Sequence, residues 1–196
     1  MDILEVIRSR TTIRKYKTTK IPKQNIDKIL EAGIWSSSIH GFQPWEYLIV
    51  TNRNIAKRIS AIIFRKSLKI GNRIDRILRL TADTIANSPV LIVVYNQRIF
   101  RQVSKRLFKI NKSFIRIAEA TELQAISASI QNMILTAQSL GIGSCWNSTP
   151  LFCEKEINKL FKKHGRLVAI LSLGYPDEKS KRTIRKSIKE KIEFIK

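Results

Sequence analysis

An α+β fold with one domain is what this sequence predicts, and three observations carry the expectation. Apolar residues recur at helical spacing in several stretches. Two short apolar runs read as buried strands: "VLIVVY" at 90–95, nearly continuous in β-branched residues as a strand buried on both faces is, and "RLVAILSLGY" at 166–175. The two kinds of segment do not alternate as regular βα units, and no glycine-rich dinucleotide loop opens a helix; "GIGS" at 141–144 follows a helix where such a loop would precede one.

The elements follow in chain order. Residues 2–9 place Ile3, Val6 and Ile7 on one side of a short helix. A second helix opens at Pro22, a favoured first-turn residue, and carries Ile26, Ile29, Leu30, Gly33 and Ile34 at helical spacing. "WEYLIVT" at 45–51 reads as a strand, and 54–66 as a helix with Ile55, Ile59, Ile62 and Ile63 as its apolar stripe. A very basic helix is expected over 68–87, then the strand after Pro89. The polar, basic segment 99–117 has no clean period and reads as a mobile excursion or a helix packed on a partner.

The longest element spans 119–141, almost uncharged beyond its first turn and stopped by Gly141, so a helix buried on most sides is expected there. Its Ser127 and Ser129 are small enough to let another helix backbone approach, by core packing or at a subunit interface. "SCW" at 144–146 begins a short strand, 153–164 is an amphipathic helix, and Pro176 opens a charged tail of about 20 residues after the last strand.

Composition sets outer limits. A chain of 196 residues with 43% hydrophobic content can bury one sizeable core. No stretch is long and apolar enough to span a membrane, and acidic Asp2 and Glu5 argue against a leader peptide, so a cytoplasmic protein with no membrane partner is expected. Cys145 and Cys153 lack metal or redox-pair spacing and are expected as buried free thiols; no metal site is predicted. The net charge of +22 invites a nucleic-acid reading, but the cations run from Arg8 to Lys196 with no recognition motif. Weak, salt-dependent attraction to polyanions is expected, without a specific nucleic-acid partner.

Two clusters need more than composition. "SRTTIRKY" at 9–16 packs Arg10, Arg14 and Lys15 with Ser9, Thr11 and Thr12. Such a set is either a solvated charged turn or a phosphate site, in which guanidinium forks supply paired donors and hydroxyls fill the remaining oxygen positions. "SSSIHGFQPW" at 36–45 is either a capped turn or a polar loop that recognises a ligand edge.

Order and spacing bring these together. "RSRTTIRKY", "SSSIHGFQPW", "SPVLIVV", "QNMILTAQSLGIGSCW" and "LSLGYP" with its basic tail, in that order over nearly the whole chain, resemble the FMN-dependent nitroreductase family. The resemblance implies a central mixed or antiparallel sheet flanked by helices, a long buried central helix, and a homodimer. It implies that Arg10, Thr11, Thr12 and Arg14 hold the FMN phosphate and reach the flavin, helped by Arg185 and Lys186 of the tail, with Arg182 one register away. It implies further that Ser37, Ser38, His40 and Gln43 reach the flavin of the neighbouring subunit, and that a backbone N–H near Asn147 or Ser148 points at flavin N5. This chain has Ser37 and Gly41 where the family pattern carries Pro and Asn.

The implied chemistry is hydride transfer from NADH or NADPH through the flavin to a nitroaromatic, a quinone or a similar small electron-poor acceptor, in ping-pong order. No catalytic side chain is required, and His40 is expected in a hydrogen-bonding role. A family member with a specialised reaction is the alternative; a basic nucleic-acid-binding module would explain the charge and leave the ordered segments unexplained.

Overall fold

Four strands form the platform of the computed structural model, which describes residues 2–70, 73–107, 112–180 and 182–195. They are β1 (Trp45–Val50), β2 (Val90–Asn96), β3 (Gly143–Asn147) and β4 (Arg166–Gly174), in the spatial order β1-β2-β4-β3. Every pairing is antiparallel, with Leu48 opposite Val93, Ile92 opposite Leu171 and Cys145 opposite Ser172, so the antiparallel form of the expected sheet is the one found.

All seven residues of β2 are buried because helices cover both faces of the sheet, as its unbroken apolar run predicts. One face packs against α2 (Lys23–Ile34) and α6 (Lys112–Ser139) through Ile29, Ile126, Ile130 and Met133. The other packs against α3 (Arg53–Ile70), α4 (Arg73–Asn87) and α7 (Glu154–Phe161) through Ile59, Ile63, Leu78, Ile85 and Ile157. A short α1 (Ile3–Ser9), closed by a reciprocal Asp2–Glu5 capping box, lies at the start, and α5 (Ile99–Leu107) follows β2.

Several boundaries differ from the expected ones. Pro22 caps α2 from just outside instead of occupying its first turn. The helix expected over 54–66 runs on to Ile70, and the basic helix expected over 68–87 starts only at Arg73; positions 71 and 72 lie outside the described residues. The unpatterned segment 99–117 is α5 and the first turns of α6, with 108–111 outside the described residues. Ahead of α7, Thr149–Cys153 forms a 3₁₀ turn with Pro150 in its first positions.

The small residues of α6 act as expected inside one chain. Met133 and Ser129 Oγ lie 2.9 and 3.1 Å from where a Cβ on Gly33 would stand, so only glycine lets α2 and α6 meet this closely. Ser129 Oγ also hydrogen-bonds the Tyr47 hydroxyl, whose pKa burial pushes up to about 12. Burial on most sides is not what one chain gives α6, however: Ile117 and Leu123 point to solvent.

Both cysteines are buried free thiols. Burial raises the pKa of each, that of Cys153 to about 11. The folded protein at pH 8 is therefore expected to react with an aromatic disulfide at Cys153 on the order of a hundredfold more slowly than the denatured chain. Stopped-flow thiol titration with and without denaturant checks this; equal rates would place the thiol at the surface.

Candidate anion-binding site

The two ends of the chain meet beside β3 and β4. After α1 the chain is extended and has no hydrogen bonds of its own, so residues 12–17 find partners elsewhere. Ile13 N–H donates to the Ser144 carbonyl of β3 at 2.9 Å, and Lys17 N–H to the Tyr175 carbonyl just past β4 at 2.9 Å. Asp177 N–H returns a bond to the Lys15 carbonyl at 3.0 Å. The Tyr16 hydroxyl, buried and with its pKa raised by that burial, is shared between the carbonyls of Ile13 (2.5 Å) and Ser172 (3.2 Å). These contacts fix the strap 12–17 to the sheet and hold 175–180 beside it.

A cavity of about 720 Å³ opens between the two segments, lined by Arg8, Arg10, Thr11, Thr12, Arg14 and, across it, Ser180, Arg182 and Arg185. All four residues expected in the first cluster are there. Of the tail candidates Arg185 lines it and Lys186 does not; Arg182 and Thr183 line it as well. The lining set is forked cations interleaved with hydroxyls, and the Thr11 and Ser180 hydroxyls lie 2.5 Å apart across the cleft.

One member carries the opposite charge. Glu178 Oε1 accepts the backbone N–H groups of Arg14 (2.5 Å) and Lys15 (3.1 Å). These are the donors an extended strap leaves unpaired, and the carboxylate takes them, so an anion in the cleft is met by side chains. Sequence reading weighed only the cations; the signal was an acid just after Pro176 opposite a strap needing acceptors.

Asn147 is buried, with Nδ2 3.0 Å from both the Ile170 carbonyl and Ser172 Oγ, while Cys145 Sγ donates to its Oδ1 at 3.3 Å. Its side chain is committed to the sheet, so whatever Asn147 offers a ligand comes from its backbone. Ser148, next along, is exposed.

The loop from Ser37 to Gln43 lies elsewhere: Ser37, Ser38, His40 and Gln43 are not among the cavity's lining residues, so one chain leaves the two candidate sets apart. The loop is unusual in its backbone. His40, Gly41 and Gln43 have φ of 44°, 73° and 45°, the left-handed region that costs a residue with a Cβ about 1 kcal/mol or more. The Gln43 N–H reaches Ser38 Oγ at 3.4 Å.

An aromatic cluster that sequence reading missed holds this loop: Phe100 of α5 has ring centroids 5.6 Å from Phe42, 6.3 Å from His40 and 6.2 Å from Phe114 of α6. Buried Glu122 of α6 accepts Asn96 Nδ2 at 3.0 Å and the Arg101 N–H at 3.2 Å, and the Arg101 guanidinium pairs with Glu119 at 2.7 Å. Thus α5 packs on its own chain.

An antiparallel four-stranded sheet with helices on both faces defines an α+β protein, and the joined chain ends give it a cleft of cations and hydroxyls. Comparison with known proteins makes this specific: residues 7–175 match the model of the nitroreductase family, and the chain belongs to that family and to its oxidoreductase class. A protein of Methanothermobacter thermautotrophicus assigned as an NADH dehydrogenase/NAD(P)H nitroreductase is 30% identical over 91% of this chain and 79% of its own. Among solved structures, a BluB-like flavoprotein from Clostridium difficile 630 superposes with a TM-score of 0.82 at 24% identity, covering 100% of both chains. A nitroreductase-type protein of Desulfovibrio desulfuricans in complex with FMN superposes with a TM-score of 0.71 at 23% identity, covering 98% of this chain and 95% of its own. These two likenesses concern the fold.

Proposed function

We propose that the chain is an FMN-dependent oxidoreductase, with residues 1–196 as one flavin-binding domain, that takes hydride from NADH or NADPH and passes it to a nitroaromatic, a quinone or a similar small electron-poor acceptor. The observation that carries the reading is the cleft of forked cations and hydroxyls at the joined chain ends of a nitroreductase-family chain. Its donor set fits a flavin phosphate, which has close to two negative charges and needs several donors at once. Arg10, Thr11, Thr12 and Arg14 would grip that group from the strap, and Arg185 and Arg182 from the tail. The FMN complex of a structural relative supports the choice of anion.

Bound there, the flavin supplies the hydride chemistry through its N5. The chain's part is to hold the phosphate, to offer backbone N–H groups after Trp146, and to shape the open face with the loop around His40. With one face serving both substrates, the first must leave before the second enters. Steady-state double-reciprocal plots are expected to be parallel, and anaerobic NADH or NADPH to bleach the flavin absorbance; intersecting plots, or a flavin that neither nucleotide bleaches, would reject this reaction. A family member with a different flavin reaction is the second reading, favoured by the full-length likeness to a BluB-like flavoprotein. A bound flavin unbleached by either nucleotide selects it.

The separation of the two candidate sets within one chain supports a homodimer, in which Ser37, Ser38, His40 and Gln43 complete the neighbour's site. So does the apolar surface that one chain leaves open at Trp35, Ile117 and Leu123. Light scattering at micromolar concentration is expected to give twice the mass of the chain; a monomer with flavin fully bound would rule the arrangement out. A cytoplasmic location fits this reading, and among the described residues no helix is long and apolar enough to cross a membrane.

A further inference from the structure

The flavin cleft uses a few of the cations and leaves a long basic stretch in the middle of the chain unexplained. Between Arg53 and Arg79 the chain has nine Lys and Arg against a single acid, Asp75, and this stretch is the helical hairpin α3–α4 on the sheet face away from α2 and α6. On α4 the residues turned to solvent form two adjoining three-residue ladders. Arg73, Arg76 and Arg79 make one; Ile74, Ile77 and Leu80 make the other.

The apolar ladder is not the core side of the helix, which is Leu78, Thr81, Ala82 and Ile85. Ile77 is 52% exposed and Leu80 48%, in a helix that already has its core contacts. The neighbouring helix continues the pattern with exposed Phe64 and Leu68 beside Arg65 and Lys69, and Arg79 lies over the Phe64 ring at 5.6 Å. The acids on this hairpin are Asp75, which faces Arg79 at 3.7 Å, and Asp83 further along α4.

We propose that the exposed side of α3–α4 docks on an anionic lipid surface. A basic amphipathic face is suited to it on two counts: arginines meet the negative headgroups, and aliphatic side chains between them enter the headgroup–acyl boundary. Charge complementarity alone would equally suit a nucleic acid, but exposed Ile77, Leu80 and Leu68 gain nothing against a phosphate backbone and are buried at a lipid interface. With no spanning helix among the described residues, the contact is peripheral and salt-sensitive. None of its residues lines the flavin cleft, and the contact does not depend on which reaction the flavin performs.

The test is flotation of the full chain with vesicles of phosphatidylcholine alone and with one third phosphatidylglycerol, at low and physiological salt. Binding is expected for the anionic vesicles only. Arg73→Gln with Arg76→Gln, and separately Ile77→Ser with Leu80→Ser, should each weaken it by about tenfold or more. A control of equal charge change away from the hairpin, Lys17→Gln with Lys28→Gln, should leave it within about twofold. All these positions are exposed, and circular dichroism melts confirm that the variants fold.

Failure of the parent to bind anionic vesicles overturns the proposal, as does an apolar variant that binds like the parent or a control that loses as much as the arginine pair. Duplex DNA binding in preference to vesicles, indifferent to Ile77→Ser with Leu80→Ser, would assign the face to nucleic acid instead. A change of oligomeric mass in that same variant would assign it to a second copy of the chain. Either result also overturns the lipid assignment.

Discussion

Arg10→Ala is expected to lower FMN affinity by about ten- to a hundredfold while riboflavin affinity stays nearly unchanged. The range follows from a lost charge-assisted hydrogen bond, worth roughly 1.5 to 3 kcal/mol. The structure makes the comparison clean. Arg10 ends α1 with its own N–H bonded to the Val6 carbonyl at 3.0 Å, so the backbone is held whatever the side chain, and the half-buried guanidinium faces the cleft. Riboflavin lacks the phosphate and so reports on the rest of the site. Arg182→Ala should follow Arg10→Ala, whereas Lys186→Ala should not, since Lys186 lies outside the cavity lining. Fluorescence titration of both flavins measures this; an equal loss for the two would show that Arg10 acts on the ring or on the fold.

Gly174→Ala should be among the most damaging added methyls at the described glycines. A Cβ there would stand 2.7 Å from Tyr16 Cδ1 and 2.7 Å from Pro89 Cδ, and neither ring can swing aside, one being buried and hydrogen-bonded and the other locked in its backbone. Overpacking of this kind costs about 1–3 kcal/mol, which in a chain of this size lowers Tm by something on the order of 5 °C. The damage should reach the cleft, because Tyr16 is the peg that holds the strap, and FMN affinity should fall with stability. Gly141→Ala serves as the contrast: its φ of 70° imposes backbone strain, but nothing lies within 4 Å of the added methyl. Calorimetry on both variants, with flavin titration alongside, would refute the peg if Gly174→Ala melted and bound like the parent.

The sheet was legible in the sequence because its central strands are buried on both sides. Residues 90–96 and 166–174 have few polar side chains to place, and Asn96 and Ser172 among them are met by Glu122 and Asn147. Helix positions were legible wherever one face is apolar, as in α2. Their ends were not. The start of α6 at Lys112 lies in a basic run whose helical period is masked by charge, and α3 and α4 carry the same kind of basic amphipathic pattern up to Ile70 and from Arg73 on.

For the site, the strap residues Arg10, Thr11, Thr12 and Arg14 could be picked out because cations and hydroxyls are adjacent in the chain. The tail could not be aligned by the same means, since it has no regular secondary structure and Arg182, Arg185 and Lys186 are alike in charge. Glu178 left only a faint signal, an acid just after Pro176, for a different reason: its partners are backbone N–H groups, which every sequence has and none displays. The ring contacts among His40, Phe42 and Phe100 join segments about 60 residues apart, beyond any local pattern.

The joining of the chain ends has a consequence for how the molecule is made. Thr11 meets Ser180 across 169 positions, and Arg14 meets Glu178 across 164. On the ribosome the strap emerges first and its partners nearly last, so residues 12–17 wait through almost the whole of synthesis with their backbone donors bonded only to water. The sheet can pair β1 with β2 as they appear, but β3 has no ladder partner until β4, which lies between β2 and β3, completes the sheet after residue 174 has left the tunnel. The anion cleft closes after that, on 175–185. A nascent chain halted before Pro176 has a nearly complete core and no cleft, and a protease that trims the last twenty-odd residues of the finished protein would leave a folded, colourless body.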